Sequence, residues 1–107
     1  MNHETKRMIE ILKGMRSRPG MYYKDRYYRS MCIFVSGYSE GAKIPILDQL
    51  RHKFTNGGKR NGNLCWDDAL LYHLFPGHED PVEALHRGGE KSELAAVDLL
   101  ISTIESM

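Results

Sequence analysis

His73, His78, His86 and Cys65 place four metal-donor side chains within 22 residues, and these are donor types that zinc takes. Their spacing does not build a site. Cys65 and His73 stand eight apart on one predicted helix, about 80° out of register at ~100° per residue, and no CxxC or HxxxH pair anchors the set. They read as surface or half-buried histidines beside a turn, so no metal and no other cofactor is expected. Nucleophilic chemistry lacks its motif context as well. Neither Cys32 nor Cys65 has an evident histidine and carboxylate arrangement, and no serine stands in a GxSxG elbow. Adjacent Asp67 and Asp68 point to different faces of a helix and suit its positive N-terminal end rather than paired acid–base work. The chain is expected not to be an enzyme.

The run Tyr22-Tyr-Lys-Asp-Arg-Tyr-Tyr-Arg29 combines aromatic rings with cations, the pairing that single-stranded nucleic-acid surfaces use to stack bases and hold phosphates. Part of it is claimed by a core, because Tyr27 and Tyr38 share one helical stripe. The charge distribution is the wider clue. Over 107 residues the formal net charge is only +1, which removes the global basic excess of a dedicated nucleic-acid binder. Residues 1–60 nevertheless hold 13 Lys+Arg against 5 Asp+Glu, and residues 61–107 hold 2 against 9. A basic half is therefore joined to an acidic half.

The elements that position these residues read as helices. Met8, Ile11, Leu12 and Met15 recur with helical spacing between Glu4 and Arg16, and Pro19 must stop that helix. An ordered turn, Arg18, Pro19, Gly20, Met21 and Tyr22, follows, with the Arg18 guanidinium expected to donate to helix-terminal carbonyls. A second helix over 27–40 carries the stripe Tyr27, Met31, Phe34, Val35 and Tyr38. Gly37 inside it lets another helix come close, and Gly41 ends it. Pro45 opens a third helix that buries Leu47, Leu50 and Phe54. Asn56–Asn63 is a basic loop. Asn63 then caps a fourth helix with Leu70, Leu71, Leu74 and Phe75 inward. A short helical turn over 81–86 precedes a last helix capped by Ser92, whose stripe is Leu94, Val97, Leu100, Ile101 and Ile104.

No segment alternates with period two. The expectation is an all-α, compact single-domain bundle of about five helices spanning 1–107, with antiparallel neighbours. Its core should hold Ile11, Leu12, Met15, Phe34, Tyr38, Leu50, Phe54, Leu71, Leu74, Val97, Leu100 and Ile101. No apolar run approaches the ~20 residues of a membrane span, and the N-terminus lacks a secretory pattern. A cytoplasmic protein is expected, with both cysteines reduced.

The run Ile9-Glu-Ile-Leu-Lys-Gly-Met-Arg-Ser-Arg-Pro-Gly-Met-Tyr22 resembles the RPGMY segment of the ATPase domain in gyrase B subunits. Residues 34–42 lack that family's asparagine and no DxGxG loop follows, so the ATPase function does not carry over. A resemblance to a group of small bacterial RPGMY proteins covers nearly the whole chain. Its pattern is that turn, the Gly37-Tyr38 helix, the helix of Cys65-Trp-Asp-Asp-Ala-Leu-Leu and an apolar C-terminal helix. These resemble immunity proteins of polymorphic toxin and contact-dependent growth inhibition systems. The resemblance implies a cytoplasmic inhibitor that binds a cognate toxin domain, expected to be a basic nuclease, and covers its active site.

An acidic half suits such a partner through electrostatic steering. The contact is expected on Trp66, Asp67, Asp68, Glu79, Asp80 and Glu83, an aromatic anchor bordered by carboxylates. Trp66 serves nearly as well as a core residue, since the helix carrying Leu70 and Leu74 also needs bulky packing. The other reading is a small nucleic-acid-binding regulator using Arg16, Lys24, Arg26, Arg29, Lys59 and Arg60. In a third, the two halves pack together and neutralise their own fields.

Overall fold

The computed structural model describes residues 3–17, 27–55 and 65–107. The Arg18–Tyr22 turn, the loop from 56 to 64, and with them Lys24, Arg26, Lys59, Arg60 and Asn63, lie outside the described residues. Six helices make up the fold: α1 (His3–Arg16), α2 (Tyr27–Ala42), α3 (Ile46–Phe54), α4 (Trp66–Leu74), α5 (Pro81–Arg87) and α6 (Gly89–Glu105). There is no strand among the described residues, as the all-α expectation requires. Among them, too, no helix is long and apolar enough to cross a membrane.

The C-terminal helix is the axis of the bundle. Its residues Ala96, Val97, Leu100, Ile101 and Ile104 are buried, and α6 touches all five other helices. Burial of this stripe against five partners is what holds a chain of this size together, at ~25 cal/mol for each Å² of apolar surface removed from water. α1 runs antiparallel to α6, with Arg16 on Asp98 and Lys13 on Glu105. It also meets the second half of α2, where the Tyr38 hydroxyl donates to Glu4 at 2.8 Å and Ser39 meets the Met8 sulfur at 3.9 Å.

Two stripes are rotated from their expected phase. In α1 the buried line is Thr5, Met8, Ile9 and Leu12, while Ile11 is 37% exposed beside Tyr38 and Met15 is half-buried. The helix packs against both α6 and α2, so its buried face must serve two neighbours. In α2 the buried line is Tyr28, Met31, Cys32, Val35 and Ser39. Phe34 and Tyr38 pack at its edge, 5.7 Å apart between ring centres. Leu74 is likewise an edge residue, and the remaining expected core positions are buried.

Three helix starts also differ from expectation. Ser92 lies inside α6, because the boundary with α5 falls at Gly88-Gly89. Gly89 has φ +63°, and a Cβ on Gly88 would come within 1.6 Å of the Ser92 hydroxyl oxygen. Two helices can abut there only because both residues are glycine. Cys65, extended and without a side-chain cap bond, occupies the N-cap position of α4, and Pro45 stands just outside α3. Asp80, by contrast, caps α5 by accepting from the Glu83 N–H at 3.1 Å, with Pro81 in the first turn.

α2 passes Gly41 and ends at Ala42, where Lys43 takes φ +56°. The Ile44 N–H then donates to the Ser39 carbonyl at 2.9 Å, closing a left-handed helix cap on a residue that carries a Cβ. That conformation costs an L-residue about 1 kcal/mol relative to glycine. Lys43→Gly is expected to raise stability by about that amount, read as an increased urea midpoint with an unchanged slope. An unchanged or lower midpoint would contradict the cap geometry.

Candidate functional site

The start of α2 is where the basic half of the chain meets the acidic half. Arg29 Nη1 lies 2.5 Å from Asp67 Oδ2 and Nη2 lies 2.7 Å from Asp68 Oδ1, so one planar fork spans both carboxylates. All three side chains are about one-third exposed or less. Adjacent positions on α4 suit this, since the carboxylates of Asp67 and Asp68 diverge and a forked donor reaches both. Burial works against the Arg29 charge, but the bond to Asp68 and the field of Asp67 outweigh it and hold its pKa above the ordinary value.

Tyr28, fully buried, fastens the same corner. Its hydroxyl donates to the Asp67 carbonyl at 2.7 Å and its N–H donates to Oε2 of buried Glu93 at 3.2 Å. A carboxylate from α6 thereby caps the N-terminus of α2, where helix N–H groups lack internal partners. Nothing in residue spacing announces Tyr28 or Glu93. Their sequence separation of 65 residues puts the pairing beyond any local pattern.

Beyond this corner an open groove of about 760 Å³ runs between α2 and the first turn of α4. Ile33, Ser36 and Gly37 come from α2, and Cys65 and the edge of Trp66 from α4, with Cys32 beneath. Arg29, Glu40 and Asp67 form its rim. Trp66 is only 8% exposed and belongs to the core, whereas Ile33 is 73% exposed. Ile33 was not singled out from the sequence. Its signal was there, in a large β-branched residue about 200° around the helix from Met31.

The expected contact residues come from three places in the fold. Trp66, Asp67 and Asp68 sit at the start of α4, while Glu79 and Asp80 follow its end, ~12 Å along the helix axis. Glu79, Asp80 and Glu83 are exposed; Asp80 caps α5 and Glu83 pairs with Arg87. Of the six cations of the nucleic-acid reading, Arg16 and Arg29 are described, and both are engaged by carboxylates, Arg16 through Nε to Asp98 at 2.7 Å.

No group of three or more His, Cys, Asp or Glu among the described residues could hold a metal ion. His73 packs edge-on to Phe54 and His78 edge-on to Phe75. Cys32 is buried and Cys65 exposed, both as free thiols. They line the same groove without a bond between them.

Burial pushes the Tyr28 phenol and the Cys32 thiol well above their ordinary values of 10.0 and 9.0. The hydrogen bond to Glu4 also raises the Tyr38 phenol. The folded chain therefore keeps protons that the unfolded chain releases, so stability is unaffected by these groups at neutral pH and falls as pH rises through about 9 to 10. Urea midpoints between pH 7 and 10.5 should decline, and Cys32→Ala or Tyr28→Phe should each flatten the decline. Equal slopes in wild type and both variants would contradict the assignment. Compared with protein-family models, curated proteins and solved structures, the chain matches none.

Proposed function

We propose that this chain is a bacterial immunity protein that acts in the cytoplasm, without catalysis, by binding a cognate toxin domain and covering its active site. The observation that carries this reading is the groove between α2 and α4. Its exposed apolar anchor, Ile33, shares the groove with Arg29, Glu40 and Asp67. Protein interfaces concentrate binding energy in an apolar centre and use a charged rim for steering and register. One guanidinium between two carboxylates leaves the rim net negative, which suits the basic surface a nuclease presents to nucleic acid. The resemblance to small RPGMY immunity proteins points the same way.

Engagement of Arg16 and Arg29 by carboxylates weighs against the regulator reading, since it removes two of the cations that phosphates would need. The contact accordingly shifts toward Ile33 and Glu40. Asp67 contributes to the rim's charge, but it and Asp68 also hold α2 in place through Arg29, so their reversal would confuse binding with folding.

The test is to read the gene immediately upstream and, where it encodes a large secreted protein, to co-express this chain with that protein's C-terminal domain. Growth should be rescued and the two proteins should co-purify. Ile33→Asp combined with Glu40→Lys should weaken the complex at least about tenfold while leaving the helical melt intact. Failure to bind or to rescue would overturn the proposal.

A further inference from the structure

Gly37 sits in the middle of a 16-residue helix, where glycine costs about 1 kcal/mol relative to alanine. No element of the described fold repays that cost. A Cβ built on Gly37 has nothing within 4 Å, and the residue is exposed on the groove wall next to Ser36. Ile33, Ser36, Gly37 and Glu40 fall at i, i+3, i+4 and i+7, so they make one outward face of α2. This face is apolar at one end, bare in the middle and acidic at the other end.

A bare backbone between a large apolar residue and a carboxylate is what a second helix needs to approach closely, because interaxial distance is set by the side chains at the crossing point. The occupant's charge follows from the rim. Glu40 forms no ion pair among the described residues, and Arg29 is already shared between two carboxylates. A second copy of this chain, crossing antiparallel at Gly37, would bring its own Glu40 toward that carboxylate-rich corner and be repelled.

We propose that the groove receives a cationic amphipathic helix of the partner, laid across α2 at Gly37, with an apolar side chain against Ile33 and Trp66 and a Lys or Arg toward Glu40. This rests on the docking role of the groove, and it specifies the recognition element that the toxin domain would supply. It uses the helix-in-groove mode, in which anchors spaced at i, i+3 or i+4 fill one apolar trough.

The test selects binders to the whole chain from a displayed library of random 16-residue peptides, then measures the winners against Gly37→Gln. That variant removes a mid-helix glycine and should fold with higher stability, so lost binding cannot be ascribed to unfolding. The expected winners carry Lys or Arg beside helically spaced apolar residues, compete with one another, and bind Gly37→Gln about tenfold more weakly or worse. Acidic winners, no enriched sequence, or binding indifferent to Gly37→Gln would overturn the proposal. So would a dimer of the native chain in size-exclusion chromatography that Gly37→Gln returns to monomer, which would give the face to a second copy. Rescue from a toxin without cationic winners would defeat this inference alone. Cationic winners with no toxin neutralised would defeat only the immunity reading.

Discussion

Two adjacent residues at the start of α2 tie three helices together. Tyr28 gives its N–H to Glu93 on α6 and its hydroxyl to the Asp67 carbonyl on α4, and Arg29 divides its fork between Asp67 and Asp68. Each tie is stronger for being shielded from water. A phenol or carboxylate buried at such a corner without its partner would cost ~1–3 kcal/mol, more where charged, so the bonds specify where α2 sits as well as stabilising it. The same corner resolves the imbalance along the chain. Arg16 to Asp98, Lys13 to Glu105 and Arg29 to the two aspartates all join the basic half to the acidic half. The Arg16 and Lys13 pairs, exposed or half-exposed, add little stability individually, but the common direction of all these pairs favours this pairing of helices over others.

The groove is a consequence of that fastening. α2 is fixed through its first turn and α4 through its own first turn, so the space between them is set by a few short bonds rather than by side chains that fill it. Tyr28, Met31, Cys32 and Val35 turn toward the core and leave Ile33, Ser36, Gly37 and Glu40 outward. A binding surface and a packed corner thus share one helix. Its inward face is rigid, and a rigid apolar trough loses little conformational freedom when a partner enters.

Much of the fold was legible because glycine and proline punctuate the chain and the apolar spacing between them is helical. The last helix shows this well, since Val97, Leu100, Ile101 and Ile104 are all buried as their spacing implies. Phase was harder to read. Ile9 and Ile11 are equally apolar, and only the joint demand of α2 and α6 chooses Ile9. The α2 cap on Lys43 and the α5–α6 junction at Gly88 depend on backbone angles that residue type suggests but does not dictate. For the candidate site, the carboxylates were visible as types and the charge asymmetry was visible as a sum. Their partner Arg29 was not, because pairing across 38 residues is decided by packing. Gly37 was expected to let another helix come close, but the described fold places no helix there.

The central claim is that the Arg29 fork joins the two halves of the chain and so sets the groove. A double-mutant cycle between Arg29→Met and Asp67→Asn, read by urea unfolding at low and high salt, measures that junction directly. The expected coupling is about 1 kcal/mol or more, reduced only in part by salt because the pair is largely shielded. Additivity within about 0.3 kcal/mol at both salt concentrations would contradict it.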